Sequence, residues 1–153
     1  MSKNKKKKVL AVASAGGHWI QLLRLRPAFE GTDVVFASTS KGNYYEVNGA
    51  EFYSFKDATR KEFWNFFVMF FQVIKILIKV RPDVIVTTGS APGMVTLAFG
   101  RLFFAKTVWI DSIANVEQLS TSGKIAKRFA NLYCTQWEEL AEKSEAKYIG
   151  AII

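Results

Sequence analysis

Short apolar runs recur along this chain, and nearly every one is followed by a segment with helical periodicity. Val9–Ala13, Asp33–Ser38, Glu51–Phe55, Val84–Thr88, Thr107–Asp111, Leu132–Thr135 and Lys147–Ile149 read as strands. Trp19–Ala28, a long apolar stretch from about Lys61 to Val80, Met94–Phe104, Gly123–Ala130 and Trp137–Lys143 read as the helices between them. Strands separated by helices pair through crossovers rather than hairpins, and crossovers give parallel sheet. The expected fold class is therefore α/β, a Rossmann-like parallel sheet with helices on both faces.

The length of 153 residues is enough for one core and too short for two ordinary domains. A hydrophobic half of the residues excludes disordered and low-complexity classes. The single cysteine, Cys134, excludes a disulfide framework, and the single histidine, His18, excludes a multi-histidine metal centre. No metal site is expected.

The 21 basic and 13 acidic side chains give a net charge of +8. Lys3, Lys5, Lys6, Lys7 and Lys8 supply most of it, so residues 1–8 read as a basic tail and 9–153 as one domain carrying about +3. A lysine run attracts nucleic acid or anionic lipid, and its ordinary alternative is a solvated terminus. No nucleic-acid motif accompanies it, so no nucleic-acid partner is expected. Val9–Ala13 is too short for the apolar segment of a signal peptide, which makes a cytoplasmic protein the default expectation.

Two strands end in glycine-bearing turns, Ser14-Ala15-Gly16-Gly17-His18 and Gly89-Ser90-Ala91-Pro92-Gly93. In open α/β sheets ligands bind outside the carboxyl ends of the strands, and a glycine turn that opens a helix presents backbone N–H groups to an anion. The first turn lacks the G-x-G-x-x-G pattern, and no acid ends the second strand to hold a ribose, so a dinucleotide is not expected. Ser120-Thr121-Ser122-Gly123-Lys124 ends like a phosphate loop, but Gln118 stands where that loop needs glycine. His18 has two readings here: a residue that caps or packs a helix start, or a phosphate contact and general base.

The segment Phe63–Ile78 is too short and too polar for a membrane span. Its polar residues Asn65, Gln72, Lys75 and Lys79 fall in one helical stripe about 80° wide, leaving the rest apolar. Phe63, Trp64, Phe67, Phe70 and Phe71 then exceed what one sheet face buries and should meet a membrane or a partner. The alternative is a helix enclosed in the domain's own core.

Six motifs in order carry a family resemblance: S-A-G-G-H at 14–18, P-D-V-I-V-T-T-G-S-A-P-G at 82–93, W-I-D-S-I-A-N-V at 109–116, L-S-T-S-G-K at 119–124, T-Q-W-E-E-L at 135–140 and Y-I-G at 148–150. The chain resembles the membrane-anchor subunit of the two-part UDP-GlcNAc transferase of asparagine-linked glycosylation and its bacterial polysaccharide counterparts of PssD and CpsF type. It is more distantly similar to the N-terminal half of MurG, a GT-B glycosyltransferase. Relatives with a membrane-spanning N-terminal helix differ from this chain, where K-N-K-K-K-K stands in that place. That difference favours the bacterial branch and peripheral attachment at the cytoplasmic face of the plasma membrane.

The resemblance implies a half-enzyme equivalent to the N-terminal, acceptor-binding domain of a GT-B transferase, inactive alone. A separate donor-binding subunit would hold the UDP-sugar, so no cofactor is expected in this chain. The acceptor implied is a sugar on a polyprenyl diphosphate, in exopolysaccharide or capsule assembly. Its diphosphate would meet Ser14, Ala15, Gly16, Gly17, Gly89, Ser90, Ala91 and Gly93. His18 would take the acceptor proton, with Asp111 as a competing base; the other reading of Asp111 is a structural carboxylate capping the next turn. Asn115 replaces an arginine common in relatives and bears on the acceptor. Lys5, Lys6, Lys7 and Lys8 with the aromatic helix would hold an anionic membrane. Gln136, Trp137, Glu138 and Glu139 would meet the partner, with Trp137 as core filler the other reading. A scaffold that only recruits its partner to the membrane is the competing function.

Overall fold

The computed structural model describes residues 5–57 and 63–152. Lys3, Lys61 and the side chain of Phe63 lie outside what it describes. The strands are Lys8–Ala13 (β1), Asp33–Ser38 (β2), Glu51–Ser54 (β3), Val84–Thr87 (β4), Lys106–Ile110 (β5), Leu132–Thr135 (β6) and Lys147–Tyr148 (β7). They form one sheet in the order β3-β2-β1-β4-β5-β6-β7, and each neighbouring pair is parallel. The Rossmann-like α/β expectation is borne out.

Period-two alternation assigns the two faces. Leu10 and Val12 of β1 enter one apolar layer with Met69, Val73, Leu77, Val95, Leu97 and Ala126. Val9, Ala11 and Ala13 enter the opposite layer with Trp19, Leu22, Phe29 and Phe36. The helices Phe63–Val80 (α2), Ala91–Leu102 (α3) and Thr121–Ala126 (α4) cover the first face, and Gly17–Arg24 (α1) covers the second. A short helix, Glu138–Glu142 (α5), joins β6 to β7.

Several boundaries move. The helix expected over 19–28 starts two residues earlier and ends at Arg24, and Arg26–Phe29 continues as a 3-10 turn. Pro27 has no N–H to extend the α-helical ladder, so the chain tightens there. The helix expected from Met94 starts at Ala91, because Pro92 falls in the first turn, where its missing N–H has no intrahelical partner to lose. A further 3-10 segment spans Lys41–Glu46. Helix α4 starts at Thr121, where the Ser120 side chain accepts from the Gly123 N–H at 2.9 Å.

The basic tail is shorter than expected. Lys8 is a β1 residue in register with Asp33; its N–H donates to Asp83 Oδ2 at 2.8 Å, and its ammonium lies 3.6 Å from the Asp33 carboxylate. Lys5, Lys6 and Lys7 precede β1 and so sit at the amino edge of the sheet, opposite the glycine turns. With Lys79 and Arg81, Lys5 and Lys6 line a cavity of about 540 Å³ at that edge.

Candidate functional site

The chain proceeds outward from β1 to β2 and β3, then returns to the other side of β1 at β4. This reversal opens a crevice at the carboxyl ends of β1 and β4, where doubly wound sheets take ligands. The two glycine turns flank it, followed directly by α1 and α3.

The turns are stitched together. The Ser14 N–H donates to Ser90 Oγ at 3.3 Å, and the Ala15 N–H donates to Thr39 Oγ1 at 2.9 Å. Ser14 and Ala15 therefore spend their N–H groups inside the protein rather than offering them to a ligand. The first-turn N–H groups, those of Gly17 and His18 on α1 and of Ala91 and Gly93 on α3, have no carbonyl to bond within their helices. Both helices point positive ends at the crevice. Ser90 holds φ 79° and ψ 163°, a conformation that only glycine adopts readily, and a strained residue of this kind needs over-determining support.

His18 stands between the two turns, in the first turn of α1 and half-buried. Its Nδ1 lies 2.9 Å from the Thr88 carbonyl, and Thr88 Oγ1 donates back to the His18 carbonyl at 2.6 Å. A carbonyl only accepts, so Nδ1 carries the hydrogen of the neutral ring and Nε2 presents a lone pair. The ring is thus held in the tautomer that a general base requires, and Thr88 fixes it. Thr88 lies inside the quoted 82–93 motif, but nothing in the sequence marked it as the partner of His18.

Asp111 is 1% exposed. Oδ1 accepts from Trp109 Nε1 at 3.1 Å and from Ser120 Oγ at 2.6 Å; Oδ2 accepts from Asn115 Nδ2 at 3.1 Å and from the Ser120 N–H at 3.0 Å. Four donors satisfy both oxygens, which is the geometry of the structural reading: the carboxylate clamps the loop 112–120. Asn115 turns its amide onto Asp111 rather than into the crevice.

Gln136 does not stand at the surface. It is 2% exposed, and its amide is spent on Gln21 Oε1 at 2.7 Å, the Asp111 carbonyl at 3.0 Å and the Ile152 N–H at 2.7 Å. A side chain so engaged has no group left for a partner. Trp137 is half-buried and donates Nε1 to the Ile113 carbonyl at 2.8 Å, while Glu138 and Glu139 are exposed.

Helix α2 divides as its polar stripe implies. Met69, Val73, Ile76, Leu77 and Val80 face the sheet, and Trp64, Phe67, Val68, Phe71 and Ile78 face outward, with Trp64 at 80% and Phe71 at 60% exposure. At about 100° per residue those outward positions form one stripe some 100° wide, opposite the buried one. Phe70 departs from the expectation: it is half-buried, and its ring meets Phe99 of α3 at 4.8 Å. The α3–β5 turn adds Leu102, Phe103 and Phe104, the last 95% exposed, and with Ile78, Arg81 and Lys106 these line a cavity of about 670 Å³. Among the described residues no helix is long and apolar enough to cross a membrane. No three His, Cys, Asp or Glu side chains gather among them to hold a metal ion.

Solved structures share this architecture. MurG from Acinetobacter baumannii superposes with a TM-score of 0.74 at 15% identity, covering 94% of this chain and 45% of MurG. UDP-GlcNAc 2-epimerase from Methanocaldococcus jannaschii gives 0.65 at 15% identity, covering 89% of this chain and 41% of the epimerase. These likenesses establish the Rossmann-like fold found in GT-B glycosyltransferases such as MurG. In sequence, the chain is 28% identical over 181 residues to the human UDP-N-acetylglucosamine transferase subunit ALG14, covering 95% of this chain and 82% of the human protein. The mouse subunit is 25% identical over 188 residues, covering 95% and 83%. The Yarrowia lipolytica subunit is 33% identical over 93 residues, a match that spans 56% of this chain and less than half, 43%, of the yeast protein. Residues 53–152 match the family of oligosaccharide biosynthesis proteins described as Alg14 like, and the chain belongs to that family.

Proposed function

We propose that this chain is the acceptor-binding, membrane-associating subunit of a two-component UDP-sugar glycosyltransferase, with the donor bound by a separate GT-B-type subunit. The observation that carries this reading is His18, fixed by Thr88 with Nε2 free, between the starts of α1 and α3 at the crevice. A recruiting scaffold would need a membrane face but not a histidine locked in one tautomer.

The acceptor is a sugar on a polyprenyl diphosphate. Its diphosphate lies against the N–H groups of Gly17 and His18 on one side and of Ala91 and Gly93 on the other. Nε2 of His18 takes the proton of the acceptor hydroxyl as that oxygen bonds to the anomeric carbon of the donor sugar. The bond from that carbon to UDP breaks, and UDP leaves with the electron pair. Asp111 serves as a positioning residue that holds the loop 112–120 beside the crevice.

The outer face of α2, with Phe103 and Phe104 at its foot, lies on the bilayer. Lys5, Lys6, Lys7, Lys79, Arg81 and Lys106 near that foot meet anionic headgroups. The aromatic start of α2 is at the carboxyl edge, so the crevice opens beside the membrane, where a lipid-linked acceptor presents its sugar. Trp137 and the exposed Glu138 and Glu139 remain the proposed partner contacts. The proposed setting is bacterial exopolysaccharide or capsule assembly, supported by the resemblance of the motif set to the PssD and CpsF type. The curated relatives named above come from mammals and a yeast.

The test is a membrane transfer assay with radiolabelled UDP-sugars, the chain alone and together with its donor-type subunit. Transfer that needs both chains and falls at least a hundredfold in His18→Ala, with the complex still assembled, is expected. Full transfer by the His18→Ala complex would leave only the recruiting role. Undecaprenyl and dolichyl acceptors, compared side by side, read the bacterial setting.

A further inference from the structure

We infer that Gln21 and Gln136 are positioning residues: their two buried amides form a clasp that sets the seat of His18's helix and carries the placement of the segment 150–152 to it. The inference rests on the proposed role of His18.

Gln21 lies three residues beyond His18 on α1, nearly one turn on and on the same face. Its amide is fully used. Nε2 donates to the Gly17 carbonyl at 3.3 Å and to Ser112 Oγ at 3.1 Å; Oε1 accepts from Gln136 Nε2 at 2.7 Å and from the Ile113 N–H at 3.1 Å. Gln136 passes its other hydrogen to the Asp111 carbonyl and accepts from the Ile152 N–H. Arg24, on the next turn of α1, donates to the Ile152 carbonyl at 3.4 Å. Two side chains thus tie α1, the end of β5, the loop after it, the end of β6 and the segment before Ile153.

The surroundings are apolar: Trp19, Leu22, Ile110 and Cys134 share this layer. Two apolar side chains would fill the same space without the demand for satisfied partners that a buried amide makes. What apolar packing does not do is fix rotation and translation of a helix by directed bonds. His18 and Gln21 are separated by about 60° around the helix, so a rotation that breaks one set of bonds moves the other. Helix α1 is therefore pinned at two successive points along one face, by Thr88 through His18 and by Gln136 through Gln21. A shift of 150–152 acts on Gln136 Oε1 and reaches α1 through the buried Gln136–Gln21 bond, beside the longer, exposed bond from Arg24.

His18 is the only histidine in the sequence, so its ring gives one set of imidazole resonances in the full chain. Long-range proton–nitrogen spectra report its tautomer directly, without an activity assay. Gln136→Met and Gln21→Met keep the side-chain length and remove the bonds. Ile152→Pro deletes the N–H that Gln136 accepts, together with the Ile152 side chain on this layer, and leaves the buried amides in place; Ile152→Ala, which loses the side chain and keeps the N–H, is its control. Expected are a single Nδ1–H tautomer in the wild type, displaced ring resonances in Gln136→Met and a smaller displacement in Ile152→Pro, although neither residue touches His18. In the two-chain transfer assay, each methionine variant lowers kcat by about tenfold to a hundredfold with the acceptor KM little changed. The double variant loses less than the product of the two single losses, because the Gln21–Gln136 bond is common to both.

Ring resonances that match the wild type in both Gln136→Met and Ile152→Pro, in folded protein, overturn the clasp and leave ordinary packing. Should Gln136→Met not fold, Ile152→Pro and the shorter amide of Gln136→Asn decide. The spectra read the clasp and the transfer assay reads the base, so a wild-type complex without transfer would sink the proposed function while leaving the spectral result to stand by itself.

Discussion

A Cβ placed on Gly89 would stand 2.7 Å from both Cε1 and Nδ1 of His18. The glycine after β4 is the floor on which the imidazole rests. Its φ of +126° also lies where side chains are strained. In Gly89→Ala the ring must leave the Thr88 carbonyl or the turn must open. The backbone term alone costs about 1–3 kcal/mol. A lower Tm and at least a tenfold loss of transfer are expected. Gly16→Ala is the control: φ is +80° there too, but nothing lies within 4 Å of the added carbon. That variant should lose similar stability and keep the ring signals of His18. Equal displacement of the ring in both would mean that Gly89 does not set it.

Asp111→Asn separates the clamp from the base. The carboxylate accepts from two donors at each oxygen, and an amide presents hydrogens where one oxygen stood. One pair of donors then faces another donor. The loss expected is about 2–4 kcal/mol, seen as a lower midpoint in urea unfolding. Transfer per folded complex should fall far less than in His18→Ala. A variant as stable as the wild type but inactive would make Asp111 a base after all.

The α/β sheet was legible because its signals are local. Apolar runs such as Val84–Thr88 and the helical period of 63–80 lie within single elements, and the polar stripe of α2 predicts which side faces out. The glycine turns were legible for the same reason. Gln136 was not, since its role depends on Gln21, 115 residues away; Asp111 stood between two readings, and its bonds to Ser120, nine residues on, match the structural one. A carboxylate or an amide at a strand end reads alike whether it faces a ligand or a neighbouring loop. The place of the lysine tail follows from the topology rather than from its composition. A parallel sheet puts everything before β1 at the amino edge, so Lys5–Lys7 cannot border a crevice at the carboxyl edge. Pro92 reads as a breaker in sequence, yet the first turn of α3 absorbs it.

The outer face of α2 predicts a membrane footprint. Trp64 and Phe71 are exposed, so replacing both with serine removes apolar surface without opening the core. Stability should change by no more than about 0.5 kcal/mol. Flotation with vesicles of phosphatidylcholine and phosphatidylglycerol should fall sharply. Replacing Lys5, Lys6 and Lys7 with serine should remove the salt-sensitive part of binding, about 1 kcal/mol for each lysine near the surface. Unchanged flotation in the serine pair would turn this face over to a protein partner.

Tyr133 predicts an alkaline limit. Its hydroxyl is buried without a hydrogen-bond partner among the described residues. Burial, and then the charge of Asp111, pushes its pKa up from 10.0 to about 12. Below pH 10 the ring is neutral in the folded and unfolded chains, and its contribution to stability is complete. Above 10 the unfolded chain releases the proton first and is favoured, so stability falls as pH rises through about 12. Tyr133→Phe removes that ionisation and keeps the ring. At neutral pH the variant should match the wild type or gain up to about 1 kcal/mol, because an unpaired buried hydroxyl is lost. Between pH 10 and 12 its urea midpoint should fall less steeply than the wild type's. A variant clearly weaker than the wild type at pH 7.5 would show that the hydroxyl has a bonding partner.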